Sequence, residues 1–232
     1  MQLGYDGDRP QRSFIEAARR TQIVEAAIAT IAEEGYARAS FVRIAKRASI
    51  SPGLISYHFT AKDELITEVL RTVEQRLDRA MAGSGEAASY VEALHRMVTG
   101  YVRHCAAYPL EVRALQEVRA AAASAAVQRL VAEQRRSGLE ELRAFMAEGR
   151  AEGEFRAGDP AVFADTLWAA MHGVPSRLQG RTGPECEEYA AELAWLFVHA
   201  AAAPGTTGLR RLQRTRRLRT SEATLERPPD PP

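Results

Sequence analysis

Between residues 36 and 62 the chain carries five basic side chains, Arg38, Arg43, Lys46, Arg47 and Lys62, and no aspartate or glutamate. The whole chain has a net charge of only +1, so this is a local concentration of positive charge. Such a concentration suits contact with phosphate; a solvated basic face on an ordinary helix is the alternative that charge alone leaves open. In the same window Ser51-Pro52-Gly53 opens a short helix. A serine N-cap followed by a first-turn proline gives two start signals in register. The unpaired N–H groups of that terminus favour an anion, and Gly53 lets the backbone come close to one. Leu54, Ser56 and His58 fall near the outer side of this helix, and Ile55 and Phe59 near the inner side. A leucine and a serine can offer thymine-methyl contact and modest hydrogen bonds to base edges, but no arginine is placed to fork onto guanine.

Those residues need elements to hold them. Ser40 is an N-cap for residues 41–48, where Val42, Ile44, Ala45 and Ala48 form an apolar stripe. Ile50 is the buried residue of the following turn, and Thr60 with Asp63 repeats the start signal before Glu64-Leu65. Two helices joined by a turn of about four residues, the second too short to stand alone, form a helix-turn-helix. Ahead of it, Ser13 with Glu16 reads as a capping box opening a helix to Glu34, with Ile15, Ile23, Val24, Ala27, Ile28 and Ile31 inward. Gly35 ends that helix and Tyr36 turns back to the core. Arg9 and Arg12 precede the helix as an arm that either reaches a groove or is unstructured.

IAKRASIS followed by GLISYHFTAKDEL resembles the signature of the TetR family of transcriptional regulators, over about residues 20–70. Ser49 stands where that family usually has a turn glycine, and Ser56 where a tyrosine is common. The resemblance implies that Tyr57 and Lys62 contact phosphate, and that Ser40 and Arg43 touch the DNA backbone from the preceding helix. With Ser51, Gly53, Leu54, Ser56 and His58 they make up the expected DNA-binding set. It further implies a long helix over 61–81, with Leu65, Val69, Leu70, Val73 and Leu77 inward, linking the DNA-binding part to a helical body.

Alanine, leucine, glutamate and arginine dominate the 232 residues, and no alternating strand pattern appears, so the predicted class is all-α. Glycines at 83–85 end the linking helix and mark a hinge. Body helices are predicted over 86–107, 109–120, 124–152, 159–179 and 184–202. The expected organisation is an arm (1–12), a helix-turn-helix domain (13–62), an effector-binding and dimerisation domain (63–203) and a basic, Pro-rich tail (204–232). Residues 209–219 of that tail hold six arginines, which either add nonspecific DNA affinity or stay solvated.

The last two body helices are apolar on more than one side, through Phe163, Leu167, Trp168, Met171 and Val174, then Leu193, Trp195, Leu196, Phe197 and Val198. Such helices are buried on two sides. By the resemblance one side is a four-helix dimer interface, with Phe163, Leu167, Met171, Val174, Leu193, Trp195, Leu196 and His199 assigned to it; a core pair within one chain is the alternative. Met97, Tyr101, His104, Cys105 and Tyr108 recur at helical spacing, and Gln116, Phe145, Met146, Trp168 and His172 could face them around a ligand pocket. Plain core packing is the competing account of each.

Cys105 and Cys186 have no CxxC partner, and no histidine pair has ligand spacing, so no metal or other cofactor is expected. The first residues lack the apolar core of a signal peptide, no apolar run reaches membrane-spanning length, and a reduced cytoplasmic setting fits. There is no nucleophile elbow, phosphate loop or HExxH. Glu33-Glu34, Glu140-Glu141 and Glu187-Glu188 are adjacent on helices and point apart, so an enzyme is not expected. The expectation is a dimeric regulator, a repressor, that binds a palindromic DNA operator and leaves it when a small-molecule effector binds. A DNA-binding module without an effector is the alternative.

Overall fold

The computed structural model describes residues 9–121 and 123–206, the first five as backbone only. Over these residues the chain forms nine α-helices: α1 (Arg9–Glu34), α2 (Phe41–Ala48), α3 (Pro52–His58), α4 (Lys62–Ala82), α5 (Tyr90–Ala107), α6 (Pro109–Ala120), α7 (Ala125–Ala151), α8 (Pro160–Leu178) and α9 (Gly183–Ala201). The all-α class therefore holds. The basic stretch at 209–219 lies outside the described residues.

Two compact units divide the chain. One comprises Met1–Arg76 and Ala107–Arg135, the other Leu77–Ala106 and Arg136–Pro232, over the described residues. The first thus holds α6 and the start of α7 together with the helix-turn-helix. α6 packs on α1, and Arg76 of α4 joins them: its guanidinium pairs with Glu25 of α1 and, at 2.5 Å, with the buried Glu111 of α6. The two carboxylates hold the Arg76 charge more firmly than usual.

α1 starts at Arg9, so Ser13 lies inside the helix and does not cap it, and Arg9 and Arg12 belong to its first turns instead of preceding them. Ile15 is also not inward, being half exposed, whereas Ile23, Val24, Ala27, Ile28 and Ile31 are buried as expected. Gly35 closes the helix at φ 85°, its N–H on the Ile31 carbonyl. On α4 the expected inner residues Leu65, Val69, Leu70, Val73 and Leu77 are all buried, with Ile66 beside them.

In the second unit one apolar cluster runs through Val91, Leu94, Val98, Leu142, Met146, Phe155 and the inner faces of α8 and α9. Tyr90, Phe145 and Phe155 pack ring to ring at 5.5–6.2 Å. An isolated bridge joins Phe155 to Ala202, backed by hydrogen bonds from Arg156 N–H to the Ala201 carbonyl and from Ala203 N–H to the Glu154 carbonyl, both 2.8 Å. It ties the turn after α7 to the end of α9, a pairing with no periodic signal in the sequence. α8 starts on Asp159, whose carboxylate accepts from Ala161 N–H at 2.8 Å. α9 starts on Thr182, where Glu185 accepts from both the Thr182 N–H and its hydroxyl.

Candidate nucleic-acid interface

The helix-turn-helix is built on a short list of caps. The Ser40 hydroxyl accepts from Arg43 N–H at 3.4 Å and the Ser51 hydroxyl from Leu54 N–H at 3.3 Å, starting α2 and α3 where the sequence puts them. The far ends are closed from α1. Gln22 donates to the Ala48 carbonyl at 2.9 Å and Arg20 to the His58 carbonyl at 2.6 Å, with its guanidinium 4.3 Å from the centre of the Phe59 ring. A seven-residue helix is too short to persist alone; α3 is held by this outside cap and by Ile55 and Phe59, both fully buried.

The turn between them passes through Ser49, at φ 55° and ψ 43°, the left-handed region that costs a residue with a Cβ about 1 kcal/mol. Ser49→Gly is therefore expected to raise unfolding stability by about 1 kcal/mol, read as a higher urea midpoint at unchanged slope.

α4 opens differently from the sequence expectation. Thr60 N–H and hydroxyl both donate to Glu64, at 2.8 and 2.9 Å, so the capping partner is Glu64 and not Asp63. These two bonds favour the carboxylate and draw its pKa below the usual 4.5. A depressed carboxylate pKa contributes stability above the unfolded-state value and loses it as pH falls through the folded one. Glu64→Gln is thus expected to flatten the acid limb of a melting-temperature profile below about pH 5, while the neutral-pH value drops.

Over this frame Arg43, Lys46, Arg47, Ser51, Gly53, Ser56 and Tyr57 face solvent, Tyr57 being 72 % exposed, while Leu54 and His58 are half-buried. Val42 joins the exposed set at 65 %, so it is not part of the α2 stripe; Ile44, Ala45 and Ala48 are. Ile50 is only partly buried. The charge is softer than the local sequence suggests. Arg43 pairs with Glu34 and Arg47 with Glu33, acids just outside the basic window. Lys62 reaches back to the 3-10 turn Tyr36–Arg38, donating to the Tyr36 carbonyl at 2.8 Å above the Tyr36 ring, and burial pulls its pKa down.

The residues expected to line a ligand pocket separate. Met97, Tyr101, Phe145 and Met146 pack in or against the apolar cluster of the second unit. His104 and Cys105 are buried on α5, and burial pushes the Cys105 thiol up to about 12, an unreactive group at neutral pH. Cys186 is buried and also unbridged. Tyr108 and Gln116 are exposed and belong to the first unit. Trp168 fills the space beside Gly138 and meets the ring of the exposed His172 at a tilt, 4.8 Å between centroids. A cavity of about 380 Å³ does occur in the second unit, and Met146 is the only expected pocket residue on its wall.

The expected interface set divides as well. Leu167, Met171 and Val174 are buried in their own chain and cannot present a surface to a partner, because their side chains fill the inner face of α8. Phe163 and Leu193 are half-buried against the same cluster. Trp195 and Leu196 are exposed, and His199 stacks on Trp195 at 4.2 Å. Among the described residues no helix is long and apolar enough to cross a membrane, and no group of three or more His, Cys, Asp or Glu could hold a metal ion.

Capped short helices held at their ends by α1, presenting a basic and aromatic face, define a helix-turn-helix DNA-binding protein. Residues 23–69 match the family described as bacterial regulatory proteins, tetR family, and residues 87–199 match the tetracyclin repressor-like C-terminal domain. The chain belongs to the TetR family of transcriptional regulators. It is 40 % identical over 68 residues to the HTH-type transcriptional regulator BetI 1 of Chromohalobacter salexigens, covering 29 % of this chain and 34 % of that one. It is 37 % identical over 68 residues to BetI of Stenotrophomonas maltophilia, covering 29 % and 35 %. The match thus spans about a third of the length of these curated relatives. The fold is shared with a TetR-family regulator from Rhodococcus sp., at TM-score 0.67 and 24 % identity over 78 % of this chain and 99 % of that one. It is also shared with a regulator from Saccharomonospora viridis solved in complex with choline, at TM-score 0.67 and 23 % identity over 81 % and 99 %.

Proposed function

We propose that the chain is a repressor that binds a palindromic operator as a homodimer and is released by a small-molecule effector. The observation that carries this is the solvent-facing surface of α2 and α3, with Tyr57 72 % exposed over fully buried Ile55 and Phe59. In this reading Ser40, Arg43, Ser51, Tyr57 and Lys62 contact phosphate, Gly53 allows close approach, and Leu54, Ser56 and His58 lie nearest the base edges. The Arg43–Glu34 pair opens to meet phosphate, and Lys62 keeps two donors beyond the one held by Tyr36. A cavity in the second unit supports an effector over a DNA-binding module without one. The effector acts by binding one separation of the two DNA-binding domains better than the one DNA requires, with α4 carrying the motion.

The test is anisotropy of a labelled duplex titrated with protein across a salt series. Affinity should fall steeply with salt, and Arg43→Ala and Lys62→Ala should each lower the log–log slope by roughly one. Binding indifferent to salt and to these substitutions would overturn the proposal. Dimerisation is assigned to the outer sides of α8 and α9, where Val162, Trp195 and Leu196 are exposed. Leu196→Glu is expected to weaken association at least about tenfold by burying a charge at the contact, seen as a shift from dimer to monomer in sedimentation velocity.

A further inference from the structure

The cavity of the second unit lies between the ends of α7, α8 and α9 and the turn that follows α7. At about 380 Å³ it is near the small end of the range that holds small-molecule ligands. Met146, Phe155, Phe163 and Phe197 form an apolar wall, with the Phe163 and Phe197 rings edge to face at 5.8 Å. The charged side chains on its lining are Arg150, Arg156 and Asp159. Asp159 is committed to capping α8, its carboxylate on Ala161 N–H. The two arginines are held by backbone carbonyls, Arg150 on Gly158 at 3.1 Å, and Arg156 on Ala202 at 3.1 Å and His199 at 2.9 Å. A guanidinium has five N–H donors, so these bonds orient each plane and leave donors over.

We propose that this cavity binds a monoanionic amphiphile, an acid group on a short apolar tail, and, resting on the effector reading above, that this ligand is the signal. Arg150 and Arg156 hold the acid group at the mouth, and the phenylalanines take the tail. Two guanidiniums against one engaged carboxylate repel a quaternary cation, so choline, the ligand of the Saccharomonospora viridis neighbour, is excluded here.

The test is calorimetric titration of the full chain with octanoate, alongside 1-octanol and choline. Octanoate should bind at least about tenfold more tightly than either, and Arg150→Gln should weaken it roughly tenfold or more. Ala200→Trp, at an exposed position on the cavity wall, should abolish binding by filling the space while leaving the melting temperature near that of the parent. No heat with octanoate, equal binding of octanol or choline, or indifference to both substitutions would overturn the site. Octanoate is then added to the protein–duplex complex. Bound octanoate that leaves duplex affinity unchanged would keep the site and overturn its role as the signal. Absence of duplex binding in the first place would instead overturn the regulator reading.

Discussion

Replacing Gly100 by alanine is expected to cost about 3 kcal/mol or more of stability, lowering the melting temperature by roughly 10 °C. A Cβ built at Gly100 of α5 would stand 2.0 Å from the Ala80 carbonyl oxygen of α4 and 2.7 Å from its carbon. Both atoms are backbone, so no rotamer change relieves the clash, and the two helices must move apart. Val98, Thr99 and Val102 around the glycine are buried, and separation would open that packing. Gly53→Ala is the control, because its nearest neighbour would be the Ser51 hydroxyl at 4.0 Å, and it should melt as the parent does. Thermal denaturation followed by circular dichroism compares the three. A Gly100→Ala protein within 1 kcal/mol of the parent would mean that α4 and α5 do not approach this closely.

Tyr57→Ala is expected to reduce operator affinity at least tenfold at each half-site, with no loss of stability. The ring is 72 % exposed and meets the His58 ring edge-on at 5.0 Å, so the fold gains little from it. A phenol donating to phosphate makes a hydrogen bond to a charged group, about 1.5–3 kcal/mol, or roughly 10–100-fold. Because phosphate carries no sequence information, the loss should be the same for every duplex. Lys62→Ala is a poorer probe, since Lys62 also holds the Tyr36 carbonyl and ring and its removal should lower stability as well. Equal melting temperatures for Tyr57→Ala and parent, with equal duplex affinities, would remove Tyr57 from the interface.

The parts of this fold legible in the sequence are those fixed by adjacent residues. Ser40 and Ser51-Pro52 start α2 and α3 because a hydroxyl need only reach three residues forward. Glycine and proline breaks set the start of α6, the end of α7 and the limits of α8 and α9 to within about one residue. α5 begins at Tyr90 and not at residue 86, since nothing local distinguishes Glu86-Ala87-Ala88 from a first helical turn. Thr60 showed the reverse problem: both Asp63 and Glu64 lie in reach, and the backbone chose the longer side chain.

What stayed hidden depends on residues far apart in the chain. Arg20 and Gln22 read as ordinary polar positions of α1, yet they close the ends of α3 and α2. Glu33 and Glu34 fall just outside the basic window but pair with Arg47 and Arg43 inside it. The expected pocket rested on aromatic and methionine residues at helical spacing, a pattern that core packing produces equally well; Met97, Tyr101 and Phe145 proved to pack against the core cluster. Arg150 and Arg156 carried no such spacing, and their place beside a cavity comes from the turn after α7 folding onto the end of α9.

The most direct test of sequence-specific reading by the α2–α3 surface is selection of bound duplexes from a random pool, followed by sequencing, with parent and Ser56→Ala proteins. The parent should enrich an inverted repeat whose half-sites are centred about one helical turn (~34 Å) or more apart, one for each protomer of a dimer. Ser56→Ala should enrich the same repeat with relaxed preference at one position in each half-site. A pool that stays random at low salt, or a motif without inverted symmetry, would contradict a dimer that reads DNA through this surface.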